Sequence, residues 1–260
     1  MKHGQVAYLL SIIHPKHTLR HYSFFIGLFF LICSGIKILN TTRLCLAYQP
    51  SDVPEMPHEN MYTNPWKQTI GYWDTNLNVG ISYFRKPLQG LYLMFWQAYD
   101  ETRSIFFNHY AHGATEVWGY LATICVHGAL ESTGILFMTL AGMLLWILII
   151  SVIYIVLTTI ISRTSIPANR IKLLVIRFCR DLIILMLIGV ILIIVAGPIE
   201  AYISWPRLLP AFTRKLWLSS MYLVFLLSFF VWIFFIKLGG YENMKRIGKH
   251  IKFQIHKSKA

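Results

Sequence analysis

Residues 133–161, TGILFMTLAGMLLWILIISVIYIVLTTII, run for 29 positions without a charged side chain. A helix needs about 20 residues to cross the hydrocarbon core of a bilayer. In a water-soluble domain, a helix apolar on every side would have to be covered on every side. The run therefore points to a membrane-spanning helix, whose backbone groups are satisfied within the segment where no water can reach them. Composition agrees. Of 260 residues, 56% are hydrophobic and 13% charged, too little charge to cover a soluble domain of this size.

Further runs of this kind are 181–205, 217–238 and the shorter 23–39, SFFIGLFFLICSGIKIL. Two others, near 79–98 and 105–125, carry polar residues and make weaker spans. The first run follows about twenty residues of basic segment, but no small-x-small cleavage site and soluble domain come after it, so it reads as a retained helix. The expected fold is all-α: a polytopic transmembrane helical bundle of about six spans, some of them broken or polar.

Lys and Arg near span ends stay on the cytoplasmic side. Lys2, Lys16 and Arg20 precede the first span; Arg163, Arg170, Lys172, Arg177 and Arg180 lie in 162–180; Lys245, Arg246, Lys249, Lys252, Lys257 and Lys259 follow the last. Both termini are expected inside, which requires an even number of crossings. The organisation expected is a single transmembrane domain over 1–260: a first span at 22–39, an extracytoplasmic loop at 40–78, a helical core at 79–238 and a basic cytoplasmic tail at 239–260. In the loop, Asp52, Glu55, Glu59 and Asp74 outnumber Arg43 and Lys67. Arg207, Arg214 and Lys215 argue against this scheme, because it places them outside.

The net charge of +13 falls in short segments flanking spans, so it answers to an anionic leaflet rather than to nucleic acid. Cys33, Cys125 and Cys179 sit in or beside apolar runs as small hydrophobes. Cys45 has no second loop cysteine to pair with, and no zinc spacing occurs. Nucleotide-binding and serine-hydrolase motifs are absent. No cofactor is expected. Asn40-Thr41-Thr42 spells a glycosylation sequon, but it lies against the end of the first span and reads as chance.

The chemistry-bearing residues lie in two copies of one pattern. HGATEVWG at 112–119 and HGALESTG at 127–134 both read His-Gly-Ala-x-Glu-x-x-Gly. Residues four apart share a helix face, so His112 can meet Glu116 and His127 can meet Glu131. A third acid, Glu200, stands in AGPIEAYISWP, where Pro198 removes a backbone donor and kinks the span. Ionisable groups at membrane depth are costly and mark sites. Three readings stay open: hydrogen-bonded structure, with Gly113, Gly119, Gly128 and Gly134 allowing close backbone approach; a metal or proton site built from the His and carboxylate side chains; or a mouth that binds a peptide or partner helix. A site shared by both motifs needs a break between them, because fifteen residues of one helix separate equivalent positions by about 22 Å.

HGALESTGILFMTLAGMLLW resembles the signature His-Gly-x-x-Glu, with Ala-Gly further on, of the integral membrane family grouped with stage II sporulation protein M. IEAYISW is similar to that family's later signature, and NHYAHGA, at 108–114, to its preceding Asn-Gly-x-x-x-Gly segment, with His109 in place of a glycine. Together the three cover about residues 75–235. The resemblance implies a polytopic membrane protein in which His127, Gly128 and Glu131 form the central motif, Glu200 is the later acid, and Asn108 and Gly113 precede. Family members are subunits of larger membrane assemblies, in envelope remodelling or in bacteriocin maturation, export or immunity, and no enzyme activity is implied. Expected partners are the lipid bilayer, other membrane-complex subunits and further copies of the chain. Localisation would be the cell membrane, multi-pass. The competing function is a transporter or permease component using the buried His and Glu residues as an ion or proton site.

Overall fold

The computed structural model describes residues 15–53, 64–162 and 168–245, which form helices joined by short irregular connections, with no strand among the described residues. Lys2, Glu55, Glu59, Arg163 and the tail lysines and arginine beyond Lys245, on which part of the charge argument rests, lie outside the described residues. Helix α1 spans Pro15–Ala47, α2 Pro65–Arg85, α3 Pro87–His109, α4 Ala114–Ser162 and α5 Ala168–Ile199. A π-helical stretch, Glu200–Leu208, continues into the short α6, Leu209–Phe212; α7, Leu216–Val231, ends in a second π-helical stretch, Trp232–Lys237.

The boundaries follow from local chemistry. Asn64 caps α2, its Oδ1 accepting from the backbone N–H of Trp66 at 3.0 Å and Lys67 at 3.2 Å, and Pro65 fits the first turn because it has no N–H to leave unpaired. A residue before proline is pushed away from helical angles, so α2 stops at Arg85, Lys86 takes φ −128°, ψ 66°, and Pro87 opens α3. A 3-10 turn, Tyr110–His112, and Gly113 at φ 97° separate α3 from α4. That angle suits glycine alone among ordinary residues.

These breaks redraw the expected segments. The 79–98 stretch is cut at Lys86-Pro87, its halves ending α2 and opening α3. The 105–125 stretch is cut at 110–113, and its second half runs without interruption into the apolar 133–161 run. Nor is 40–78 all loop: α1 extends to Ala47 and α2 begins at Pro65. Among the described residues, four helical segments are long and apolar enough to cross a membrane: Thr18–Ala47, Ala114–Ile161, Ile171–Phe212 and Leu216–Lys237. Helices α2 and α3 are not among them, because Asp74, Asn76 and Asn78 on one and Asp100, Glu101 and Arg103 on the other dilute their apolar character. At about 1.5 Å per residue, the 49-residue α4 measures ~74 Å, more than twice a bilayer core.

The chain divides into two units. One contains Glu59–Trp96 and Val126–Pro206; the other contains Pro15–His58, Gln97–Cys125 and Arg207–Ala260. In the first, α2 runs against α5 in the opposite direction. Gly80 sits under Met138 and Ile193, and Gly197 under Trp73. Pro198 has no N–H for the Ile194 carbonyl four residues back, and the Trp73 indole donates to that carbonyl instead, at 2.9 Å. The kink is thereby satisfied from a neighbouring helix. Glycines at 134 and 189 bring α4 and α5 into contact: a Cβ on either would lie 2.7 Å from the other's carbonyl oxygen. Small residues that let backbones meet are how helices associate in lipid, where no hydrophobic force drives them together.

In the second unit, α1 packs on α7 and the π-helical stretch beyond it, with Phe30 stacked on Phe230 at 3.8 Å between ring centres. Gly27 accommodates Phe234 and Phe235. Ser23 donates to the carbonyls of Arg20 and Leu238, and Asn243 donates to the Arg20 carbonyl, so residues 238–243 are tied to the start of α1. Asn40, the sequon residue, is buried. Its amide donates to Thr102 Oγ1 at 2.6 Å and to the Tyr99 carbonyl at 3.3 Å, which leaves a structural role for a side chain that only resembles a glycan acceptor.

Candidate functional site

His127 and Glu200 are 4% and 8% exposed. His127 comes from α4; Glu200 begins the π-helical stretch, just past the point where Pro198 interrupts the α5 hydrogen-bond ladder. A π-helical turn widens the coil and re-aims the side chains that follow, and such turns often occur where function needs them. Here the turn sets His127 Nε2 3.5 Å from Glu200 Oε1. Five residues on, the Trp205 indole N–H donates to the same oxygen at 3.2 Å, and its ring lies 5.7 Å from the imidazole at 52°. The result is a clasp of an imidazole, a carboxylate and an indole.

His127 thus has an acid in reach beyond its own motif. Glu131 shares a face of α4 with His127 and is half-buried, and the Glu200 carboxylate stands 3.5 Å from the same imidazole. Gly128 follows His127 on α4 and is likewise half-buried. Glu116 meets not only its own motif's reach: His109 Nδ1 lies 3.8 Å from Glu116 Oε1, and the His109 ring stacks on Tyr120 at 3.5 Å. His112 is exposed on the 3-10 turn. Asn108 is exposed, its amide donating back along α3 to Ser104 Oγ at 3.3 Å. Gly119 and Gly134 do allow close approach, to Thr213 and Gly189 respectively, whereas Gly113 has open space around it and serves through its φ.

The break that a site shared by the two His-Gly-Ala-x-Glu motifs would need does not occur between Glu116 and Glu131, because the helix is continuous from Ala114. Among the described residues no three His, Cys, Asp or Glu side chains converge as metal ligands. Beside the clasp, Ser204 is fully buried, and its hydroxyl has no hydrogen-bond partner among the described residues.

Two features escaped the sequence reading. Trp205 was quoted within the IEAYISW run but not singled out; an indole five residues after a buried acid reaches it only through a π-helical turn. The other is an ion pair between Lys37, inside the first apolar run, and Glu101 on α3, with side chains 16% and 26% exposed. A lysine within a span was itself the signal that a partner must exist. Near the end of α1, Tyr110 is buried and its hydroxyl lies 3.0 Å from the Cys45 carbonyl and 3.1 Å from that of Tyr48. Burial raises its phenol above the ordinary range, so it remains a donor to these carbonyls at neutral pH.

Compared with known proteins, the chain matches no family model, no curated protein and no solved structure. The resemblance to the stage II sporulation protein M group rests on the motifs at 108–142 and 199–205 alone.

Proposed function

We propose that this chain is a non-catalytic, multi-pass subunit of a larger complex in the cell membrane, of the stage II sporulation protein M type. The observation that carries the reading is the His127–Glu200–Trp205 clasp. It brings His127 Nε2 and the Trp205 indole N–H onto one oxygen of Glu200, in a buried place where α4 and the end of α5 meet. Ser204, the buried hydroxyl closest in sequence, has no hydrogen-bond partner among the described residues.

The topology proposed is six crossings with both termini cytoplasmic. Helix α2 runs along α4 and α5, and α3 joins α1 through Lys37–Glu101 and Asn40–Thr102, which supports two polar crossings tucked beside the four apolar ones. Their shared tip, Arg85-Lys86, is basic and belongs inside. Four crossings would also be even, so the α2–α3 pair leaves the remaining orientation unchanged. Residues 48–64 and Arg207, Arg214 and Lys215 are then outside.

A second reading, a transporter or permease component, has one observation in its favour: the coil is broken between Pro198 and Pro206 at a buried acid, as in carriers with discontinuous helices. Cross-linking in native membranes, followed by purification and mass spectrometry, separates the two. The subunit reading expects stoichiometric recovery of other membrane proteins. Recovery of the chain alone, together with proton- or ion-driven uptake in proteoliposomes that Glu200→Gln abolishes, would establish the carrier instead.

A further inference from the structure

Where α2 gives way to α3, a groove of about 550 Å³ lies between the Arg85–Gln89 tip and α4, within the range of ligand-binding cavities. Its walls are apolar, formed chiefly by Leu88, Met143, Trp146 and Ile150, and its charges are Arg85 and Lys86. Leu88, Trp146 and Ile150 are 77%, 50% and 61% exposed, so the groove opens to the surroundings of the helices. The Trp146 indole N–H points to the Arg85 carbonyl at 3.4 Å, one of the carbonyls left over at the end of α2. That contact fixes the ring against the tip and occupies its only polar atom.

From this juxtaposition we infer that the groove is a binding site for one anionic phospholipid, its phosphate held by Arg85 and Lys86 and an acyl chain lying in the groove. Two cations beside an apolar trough complement a ligand with a negative head and an apolar tail. Basic pockets between membrane helices take such lipids. A free phosphate would leave the apolar walls uncovered, and a zwitterionic phospholipid would bring its own cation against the two side chains. The inference rests on the chain being embedded in a bilayer, not on its being a subunit of a complex, so its failure would leave the subunit proposal standing.

The test is native mass spectrometry of the purified full-length chain in detergent, after delipidation, with dipalmitoyl phosphatidylglycerol or phosphatidylcholine added at equal concentration. Phosphatidylglycerol should be retained about tenfold better or more, the discrimination two cations supply at a membrane surface. Arg85→Gln with Lys86→Gln should abolish the preference. These side chains are exposed, so the variant should keep wild-type helicity and elution volume. Ile150→Trp, which fills the groove and leaves both charges, should also cut retention of phosphatidylglycerol. Equal retention of the two lipids, an unchanged preference in the charge variant, or displacement of phosphatidylglycerol by inorganic phosphate would each overturn the assignment.

Discussion

Gly142→Ala should lower the stability of the detergent-solubilised protein by about 3 kcal/mol, or ~10 °C in Tm. A Cβ built on Gly142 would lie 2.1 Å from the Phe84 carbonyl oxygen, with the Phe84 carbonyl carbon and Cα at 2.8 and 2.9 Å. All three are backbone atoms of α2, so no side chain can turn aside. Either α2 lifts from α4 along its last turns or the helix distorts, and both sacrifice the contacts that seat Gly80 under Met138 and Ile193. Gly71→Ala, in the same helix α2, is the control, because a Cβ there meets nothing within 4 Å. Alanine's better helix propensity should leave that variant as stable as the parent or slightly more so. Equal melting temperatures for the Gly142 variant and the parent would mean that α2 does not lie on α4 as described.

The second large effect concerns the ion pair in the other unit. Glu101→Gln keeps shape and removes charge, leaving the Lys37 ammonium on α1 without its counter-ion. Removing one partner of a buried pair costs about 3–5 kcal/mol, and because a quarter of the Glu101 side chain is exposed the expected loss is near the lower end, about 3 kcal/mol. Replacing both partners, Lys37→Met with Glu101→Leu, should recover most of it, since well-packed apolar residues serve as well as a buried pair. Thermal melts of the three variants decide the matter. A double variant less stable than Glu101→Gln would mean that the pair does more than satisfy itself.

How much was legible in the sequence varied with the physics involved. The apolar runs announced their helices because length and lack of charge are properties of the chain alone, and four of them stand out in the structure as well. The helix ends were less visible. The Lys86-Pro87 break was written in the proline, but the apolar letters around it masked the boundary, and α4 runs on through Gly119, Gly134 and Gly142, where close tertiary contacts take up the space a side chain would fill. At the site, His127 and Glu200 were singled out because ionisable groups in apolar runs are conspicuous. Their mutual approach was hidden, because it depends on a π-helical turn beyond Pro198 and no simple periodicity encodes one. The i to i+4 rule points from His127 to Glu131 and from His112 to Glu116 within one segment, and it carries no information on Glu200, His109 or Trp205, which reach these groups from outside that spacing.

The clasp is the centre of the account, and a double-mutant cycle measures it most directly. His127→Gln, Glu200→Gln and the double variant would be compared for unfolding free energy in mixed micelles, each checked for wild-type helicity. If the two side chains hold α4 to the end of α5, each single change should cost about 1 kcal/mol, and the double variant should be no worse than either, a coupling of ~1 kcal/mol. Both singles at wild-type stability, with an additive double, would contradict a structural clasp and mark His127 and Glu200 as groups kept for some other task.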